Sequence, residues 1–507
     1  MTNFNRRSFL RQTSLLGLVA GASSFVHAAE PTCPIMPKWD ESTDVLIVGS
    51  GFAGLAAAYE AKKAGAEVII LEKMPTAGGN SIICGGDMCA IGTPQQINHG
   101  IKDSPEELEH DILVNGLYLN DPVKVHFLAQ HAKSNYDWTV NELKVEWVSG
   151  IGMEGGHSHP RSHTTKQGSG SGIVTKQLAR LEELGVKPRV RSYVDEIIRD
   201  GNGRVRGLKV YEGYRFPREG SGKVKYIEAR RGVVLCHGGF CADVTYRQLQ
   251  DPKLTSAFQT TNQPGATSEM WREASRIGAL EVQNDWIQCT PWNNAKEKGM
   301  GVSWSFAQYV AGEFGVWINT NGVRFVNENA NRKVRADAIL VEQGKGLHCF
   351  AIANQAATTA LDERRPGFVQ KCVADGLVDS FKTLDELAAA YKIDAKALAE
   401  TIAKYNEGVK AKKDEFGKIV SHVQPMIEGP WLAMEMSPRI HHCMGGLVTT
   451  VKGEVIDVKT LKPIPALYAA GEATSGVHGA VRMGTNAILD SLVFGREAGK
   501  AAAANKA

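Results

Sequence analysis

Residues Asp44 to Gly54 read Asp-Val-Leu-Ile-Val-Gly-Ser-Gly-Phe-Ala-Gly, and Glu72 stands eighteen residues beyond them. An apolar strand runs into Gly-x-Gly-x-x-Gly, a helix follows, and a second strand from Glu67 to Leu71 ends in the acid. This is the order of a dinucleotide-binding βαβ unit. Gly49 permits the tight turn, and Gly51 lets backbone approach a pyrophosphate at the helix N-terminus. Ala53 and Gly54 keep that helix close to the strand, and Glu72 is placed to accept from a ribose hydroxyl. The expected ligand is FAD or NAD, and the rest of the chain decides which.

Residues 1–29 read as a targeting segment. Asn5-Arg6-Arg7-Ser8-Phe9-Leu10-Arg11 is a twin-arginine signature, Leu15 to Val26 is a modest apolar run, and Val26-His27-Ala28 offers a cleavage site. The run is too short and too rich in Gly, Ala and Ser to span a bilayer, so no stable membrane insertion is expected. Twin-arginine export carries folded proteins, which places the working protein in a bacterial periplasm.

Composition is that of a globular protein, with 43% hydrophobic and 22% charged residues. A net charge of +3 gives no nucleic-acid footprint. The nine cysteines form no Cys-x-x-Cys pair, so neither a zinc site nor a motif-attached c-type haem is expected, and no metal is assigned. Cys84/Cys89 and Cys236/Cys241 flank glycine-rich loops and read as small buried side chains rather than disulfides.

Further glycine pairs mark where backbone meets a flat ligand. They are Gly78-Gly79-Asn80-Ser81, Gly85-Gly86 and Gly238-Gly239. Between them the pattern predicts helix over 105–145 and 175–185, strand over 187–194 (ending at Val194), and a β-hairpin of 207–214 with 223–229. A buried strand over 232–236 follows. Residues 286–321 are aromatic and turn-rich, and 383–411 reads as helix. A final strand enters Gly471-Glu472, and a helix runs over 488–503. The fold class is therefore α/β, a Rossmann-like nucleotide domain in two parts (38–285 and 425–507) interrupted by an α+β insertion over 286–424.

Several motifs converge on one family. They are Gly78-Gly79-Asn80-Ser81, Arg161-Ser162-His163, Thr261-Asn262-Gln263-Pro264-Gly265, Arg324-Phe325-Val326-Asn327-Glu328, His441-His442-Cys443-Met444-Gly445-Gly446, Tyr468-Ala469-Ala470-Gly471-Glu472 and Val477 to Asn486. Their order over residues 40–505 resembles the fumarate reductase/succinate dehydrogenase flavoproteins, most of all soluble flavocytochrome c reductases without the haem domain. The resemblance implies FAD and a capping domain over the flavin. It implies that Arg482 and His441 grip a substrate carboxylate, a planar task suited to a guanidinium. It implies that Arg332 protonates the α-carbon once hydride has reached the β-carbon. His163, His442, Glu472, Asn486, Ala487 and Ile488 are implied flavin contacts, and Gly484 a substrate contact. Gly79 stands where membrane complexes carry the flavin-linking histidine, so noncovalent FAD is expected.

The departures concern the substrate. The family's second carboxylate clamp falls on Thr290 and Ala307, and its proton-relay acid and arginine fall on Gln308 and Ala311. Ala307 has no donor, Thr290 no charge, and neither Gln308 nor Ala311 carries a proton. Glu313, Glu328 and Tyr309 are the candidate replacements. With Trp286, Trp292, Trp304 and Phe306 nearby, the expected acceptor has one carboxylate and an apolar remainder: acrylate, methacrylate, cinnamate or urocanate. The expected electron donor is a separate periplasmic c-type cytochrome. Three other readings stand beside this one: a true fumarate reductase, a 3-ketosteroid dehydrogenase-like enzyme, and a non-catalytic electron-transfer flavoprotein.

Overall fold

Alternation along the strand Glu41–Val48 sets the architecture of the nucleotide-binding part. Val45 and Ile47 pack into one core and Leu46 and Val48 into another, on opposite faces of the same sheet. A strand buried on both faces belongs inside a parallel sheet. In the computed structural model, which describes residues 36–506, it pairs in parallel with Val68–Leu71 on one side and Lys223–Leu235 on the other. The sheet has seven strands. Pro463–Ala469 joins Lys223–Leu235 in parallel, and the hairpin partners Ser192–Arg199 and Val205–Glu212 extend it antiparallel. This is the expected α/β, Rossmann-like class. The twin-arginine segment lies outside the described residues.

Two helices cover one face, Phe52–Lys63 and Asn486–Ala504. They approach closely because small residues face each other. A Cβ on Gly495 would come within 2.6 Å of the Ala53 carbonyl oxygen, and one on Gly499 would strike the Ala57 backbone. That contact holds the first turn of Phe52–Lys63 at the mouth of the cofactor cavity.

Some boundaries differ from the sequence expectation. The helix expected over 105–145 is two helices, Pro105–Asn115 and Pro122–Asn141. Leu117 and Tyr118 take positive φ between them, and the Asp121 side chain accepts from Val123 N–H at 2.9 Å to cap the second helix. Likewise 383–411 divides into Leu384–Tyr391 and Ala395–Lys410, broken at left-handed Lys392 and recapped by Asp394. The strand expected over 187–194 starts at Ser192, because Arg191 adopts φ 58°.

The inserted part is built on a four-stranded antiparallel sheet of Val316–Asn319, Cys349–Asn354, Trp431–Met436 and Asp379–Phe381. Trp431–Met436 lies beyond residue 424, so this sheet reaches past the end expected for the insertion. Ile287–Thr290 pairs antiparallel with Arg439–Cys443 and sets Gln288 opposite His442 and Thr290 opposite Arg439. Cys84, Cys89, Cys236 and Cys241 are free thiols. Among the described residues, no helix is long and apolar enough to cross a membrane.

Gly495→Val is expected to cost about 1–3 kcal/mol by overpacking the helix pair, read as a lower thermal midpoint. Gly344→Ala is the control: its Cβ meets nothing within 4 Å, so no loss is expected. Equal midpoints for Gly495→Val and wild type would show that the helix contact is not limiting.

Candidate active site

A cluster of glycines surrounds a cavity of about 960 Å³ at the C-terminal edge of the parallel sheet. Gly49, Gly51, Ala53, Glu72, Gly79, Asn80, Ser81, Val194, Gly238, Gly239, Gly471 and Glu472 all line it. Gly49 has φ +102°, and a Cβ there would collide with the Cys236 carbonyl. Gly51 has no side chain to cap the helix and the first turn carries no acid; Phe52 N–H donates to Ser81 Oγ at 3.0 Å, and the positive end of the dipole still favours an anion. Glu72 accepts from Ser50 O–H at 2.6 Å and from Met74 N–H at 2.9 Å, which fixes its carboxylate at the cavity rim.

The cavity continues along Asn80, Ser81, His442, Glu472, Ala487 and Ile488 to a second pocket. That pocket, of about 520 Å³, is lined by Gly85, Gly86, Thr290, Trp292, Arg332, His441, Arg482, Ala487 and Ile488. The three residues expected to do the chemistry, Arg332, His441 and Arg482, therefore meet in one pocket beside the glycine loops. The Asn486 amide is buried and unpartnered but lines none of these pockets; on the cavity walls, both His237 nitrogens and His442 Nε2 are buried without partners among the described residues. Buried polar atoms of this kind call for a hydrogen-bonding ligand, and an elongated polar dinucleotide fits them.

Arg482 is buried. Its backbone N–H donates to Gln288 Oε1 at 2.8 Å, its Nη1 donates to the Met483 carbonyl at 3.3 Å, and its Nε has no partner. Burial, reinforced by the charge of Arg332, pushes it down to about 9. His441 Nδ1 lies 2.7 Å from Thr261 Oγ1. Burial and the two arginines hold its pKa well below the ordinary imidazole range, so it is neutral. In the tautomer where Thr261 donates to Nδ1, Nε2–H is free to donate into the pocket.

Arg332 opens the helix Arg332–Gly344 and stacks on Trp292, with its guanidinium 4.8 Å from the ring centre. Its Nη2 is 3.5 Å from Glu154 Oε2. Arg335, one turn on, stacks on the same indole at 4.6 Å and donates to Gln308 Oε1 at 2.8 Å.

The other expected residues divide between the pocket and its surroundings. His163 lines neither cavity: it is buried in the strand Ser162–Thr165, with Nε2 2.7 Å from Thr93 Oγ1 and Nδ1 2.9 Å from the Arg161 carbonyl. Gly54 serves packing, since a Cβ would strike the Gly49 carbonyl, and Gly78 donates its N–H to Ser50 Oγ at 3.0 Å. Gly484 abuts Glu154, and its carbonyl accepts from His157 Nε2–H at 2.9 Å. Thr290 is buried and its hydroxyl donates to Asn293 Oδ1. Trp292 and Trp304 line the pocket, whereas Phe306 lies in the core of the inserted part and Trp286 is half-buried outside the pocket. Glu328 is tied to Arg324 at 2.7 Å and Glu313 to His422 at 3.3 Å, so neither faces Arg332.

Sequence reading missed Glu154, Asp87 and Met300 in the pocket, and Lys73, Tyr193 and His237 in the cofactor cavity. Glu154 carried a faint signal, a lone acid within Gly150-Ile-Gly-Met-Glu-Gly-Gly156.

The family model described as an FAD binding domain matches residues 44–488. This chain belongs to that family. It is 36% identical to the acrylate reductase flavoprotein subunit of Shewanella woodyi, over 98% of this chain and 97% of that protein. It is 34% identical to the fumarate reductase (cytochrome) of Shewanella frigidimarina, over 98% of this chain and 79% of that protein. A solved flavocytochrome c3 fumarate reductase in an open conformation matches with a TM-score of 0.71 at 32% identity, covering 92% of this chain and 78% of the other. The resemblance to fumarate reductase flavoproteins therefore holds. The cofactor is FAD, and the protein is an FAD-dependent oxidoreductase acting on carbon–carbon double bonds.

Glu472 supplies a test of the cavity's electrostatics. Burial pushes its carboxyl from 4.5 up to about 7, against the hydrogen bond from Cys443 N–H and the charge of Arg482. Between these values the folded protein holds a proton that the unfolded chain has released, so this group withdraws stability as pH rises through that window. Glu472→Gln keeps the acceptor and removes the titration. Between about pH 5 and 7 the apo-protein's Tm is expected to fall less in the variant than in wild type. Parallel Tm–pH curves would show that Glu472 ionises normally.

Proposed function

We propose that the protein is a periplasmic reductase of α,β-unsaturated monocarboxylates, of acrylate, methacrylate, cinnamate or urocanate type, used as anaerobic electron acceptors. Noncovalent FAD, reduced by a separate c-type cytochrome, serves as the redox group, and the inserted part caps its site. The observation that carries the reading is Arg482, a buried guanidinium with Nε unpartnered beside neutral His441 in a pocket walled by Trp292, Trp304 and Met300.

A guanidinium buried with so few partners is costly until an anion joins it. A carboxylate binding Arg482 and His441 supplies that anion, and the same donors stabilise the enolate-like charge that grows on it during reduction. Reduced FAD supplies hydride when bound. Arg332 then holds the proton for the α-carbon, positioned by its stacking on Trp292. Trp292, Trp304 and Met300 exclude water from the apolar end of the acceptor.

The acrylate reductase relative favours a monocarboxylate. Fumarate is the second reading, favoured by the fumarate reductase relative. A 3-ketosteroid, being neutral, would leave Arg482 without its anion.

Two measurements test the proposal. FAD-loaded protein is given reduced methyl viologen under anaerobic conditions with fumarate, acrylate, methacrylate, cinnamate or urocanate. Faster turnover with a monocarboxylate is expected, and fumarate as the best acceptor would return the fumarate reading. Arg482→Met is expected to lower kcat/KM by ~10²–10³-fold while FAD stays bound. Activity within threefold of wild type would favour the steroid reading instead.

A further inference from the structure

We propose that protons reach Arg332 along a relay of Asp87, Tyr309 and Glu154, filled from the open cleft at Arg364 and Arg365. The proposal rests on the reading of Arg332 as the acid that protonates the α-carbon. It assigns three residues to a task that the motif positions leave empty. Gln308 accepts from Arg335 rather than facing Arg332, and Ala311 has no polar group.

Three distant segments bring the relay together. Asp87 opens the strand Asp87–Cys89, and Glu154 lies in the loop before Arg161. Tyr309 stands in a buried π-helical turn, Phe306–Ala311. Such a turn re-aims side chains out of ordinary helical register and is frequent at functional sites. Tyr309 O–H donates to Glu154 Oε1 at 2.6 Å, and the same oxygen is 3.3 Å from Asp87 Oδ2. Glu154 Oε2 is 3.5 Å from Arg332 Nη2. At the outer end, Arg365 Nη2 donates to Asp87 Oδ2 and Arg364 Nη2 to Asp87 Oδ1, each at 3.2 Å. Both arginines line an open cleft of about 1930 Å³.

The hydroxyl of Tyr309 has one proton and an oxygen that accepts, so it can pass a proton without losing one. Asp87 lies behind Arg364 and Arg365 rather than on the cleft wall, and takes its proton from a solvent hydronium delivered past those two guanidiniums. That proton moves to the Tyr309 oxygen as the phenolic proton moves to Glu154 Oε1. A half-turn of the Glu154 carboxyl then presents it to Arg332 Nη2, replacing the proton that Arg332 has given to the α-carbon. One proton enters from solvent, one C–H bond forms, and no phenolate remains.

The charges around each group suit this direction. Glu154 is faced by Arg332, Arg335, His157 and Tyr309. Burial raises its pKa, but Arg332, the Tyr309 hydroxyl, Arg335 and His157 together hold it below the usual carboxylate range. When Arg332 gives up its proton, the leading one of those lowering effects vanishes and Glu154 becomes a proton acceptor. Burial, Asp87 and Glu154 hold the Tyr309 phenol well above its ordinary range, so it conducts rather than ionises. Arg364 stacks 4.3 Å from the centre of its ring and keeps it in place.

The test uses FAD-loaded Tyr309→Phe and the best acceptor of the panel, with reduced enzyme mixed against acceptor in a stopped-flow instrument. Acceptor-dependent flavin reoxidation is expected to slow by ~10²–10³-fold, with KM within about twofold of wild type. The solvent deuterium isotope effect should rise, and small buffer acids such as formic acid should accelerate the variant but not wild type. A misplaced Arg332 alone would not produce the buffer response. Reoxidation within threefold of wild type, or slowing without either signature, overturns the relay. Should Tyr309→Phe lose FAD, judged by its visible spectrum, Asp87→Asn is held to the same criteria. Arg332→Met separates the two levels: if it reoxidises like wild type, the reading of Arg332 has failed rather than the relay feeding it.

Discussion

The site is organised around buried positive charge that the protein does not neutralise by itself. Arg332, Arg335 and Arg482 are all buried, and only Arg332 reaches a carboxylate, Glu154, among the described residues. Arg332 and Arg335 also occupy the first turn of the helix Arg332–Gly344, the end at which the helix dipole disfavours cations. Burial pushes Arg335, like Arg482, down to about 9. Isolated charges in such a setting cost several kcal/mol each. Part of that cost is offset by the faces of Trp292 and Trp317, against which Arg335 packs at 4.6 and 5.6 Å. The remainder would be relieved by a bound anion, so the fold stores affinity for an anion in this pocket.

This charge could be held only where two parts of the chain meet. Arg482 comes from the loop before the last helix, His441 from a strand paired with Ile287–Thr290, and Arg332 from a helix of the inserted part. The pairing of Gln288 with His442 and the acceptance of Arg482 N–H by Gln288 Oε1 tie two of these segments to one another. A single glutamine thereby links the loop that carries Arg482 to the strand that carries the pocket histidine.

What the sequence made legible follows from the range of the interactions involved. The cofactor loops were readable because their requirement is local: Gly49 at φ +102° takes a backbone conformation that favours glycine whatever surrounds it. The parallel sheet was readable from apolar strands such as Glu41–Val48, buried on both faces. Helix breaks at Leu117 and Lys392 were not, since residues tolerant of helix adopt left-handed backbone there. His163 misled because a histidine beside an arginine looks the same whether it meets a cofactor or, as here, Thr93 and a backbone carbonyl. Glu154 and Asp87 were out of reach for a different reason. Their distances to Tyr309, across 155 and 222 residues of chain, are set by tertiary packing alone.

Charge alone does not decide the proposed preference for a monocarboxylate, since Arg332 and Arg482 line the pocket against Asp87 and Glu154. Hydrogen-bond donors do the discriminating. A second carboxylate needs at least two donors to replace its lost hydration. Thr290, at the family's clamp position, has already given its hydroxyl proton to Asn293, whose amide in turn donates to the Met300 carbonyl at 2.8 Å. Ala307, at the other clamp position, is buried in the core of the inserted part. The rest of the lining includes Trp292, Trp304 and Met300, with the Trp292 indole N–H as one unpartnered neutral donor, while the Thr485 hydroxyl is spent on the Gly484 carbonyl. One neutral donor among aromatic walls suits a vinyl, methyl, phenyl or imidazole group and leaves a second carboxylate largely unsolvated. On the proposed reading, selectivity in this pocket is a matter of polar groups already spent on one another, not of a cation removed.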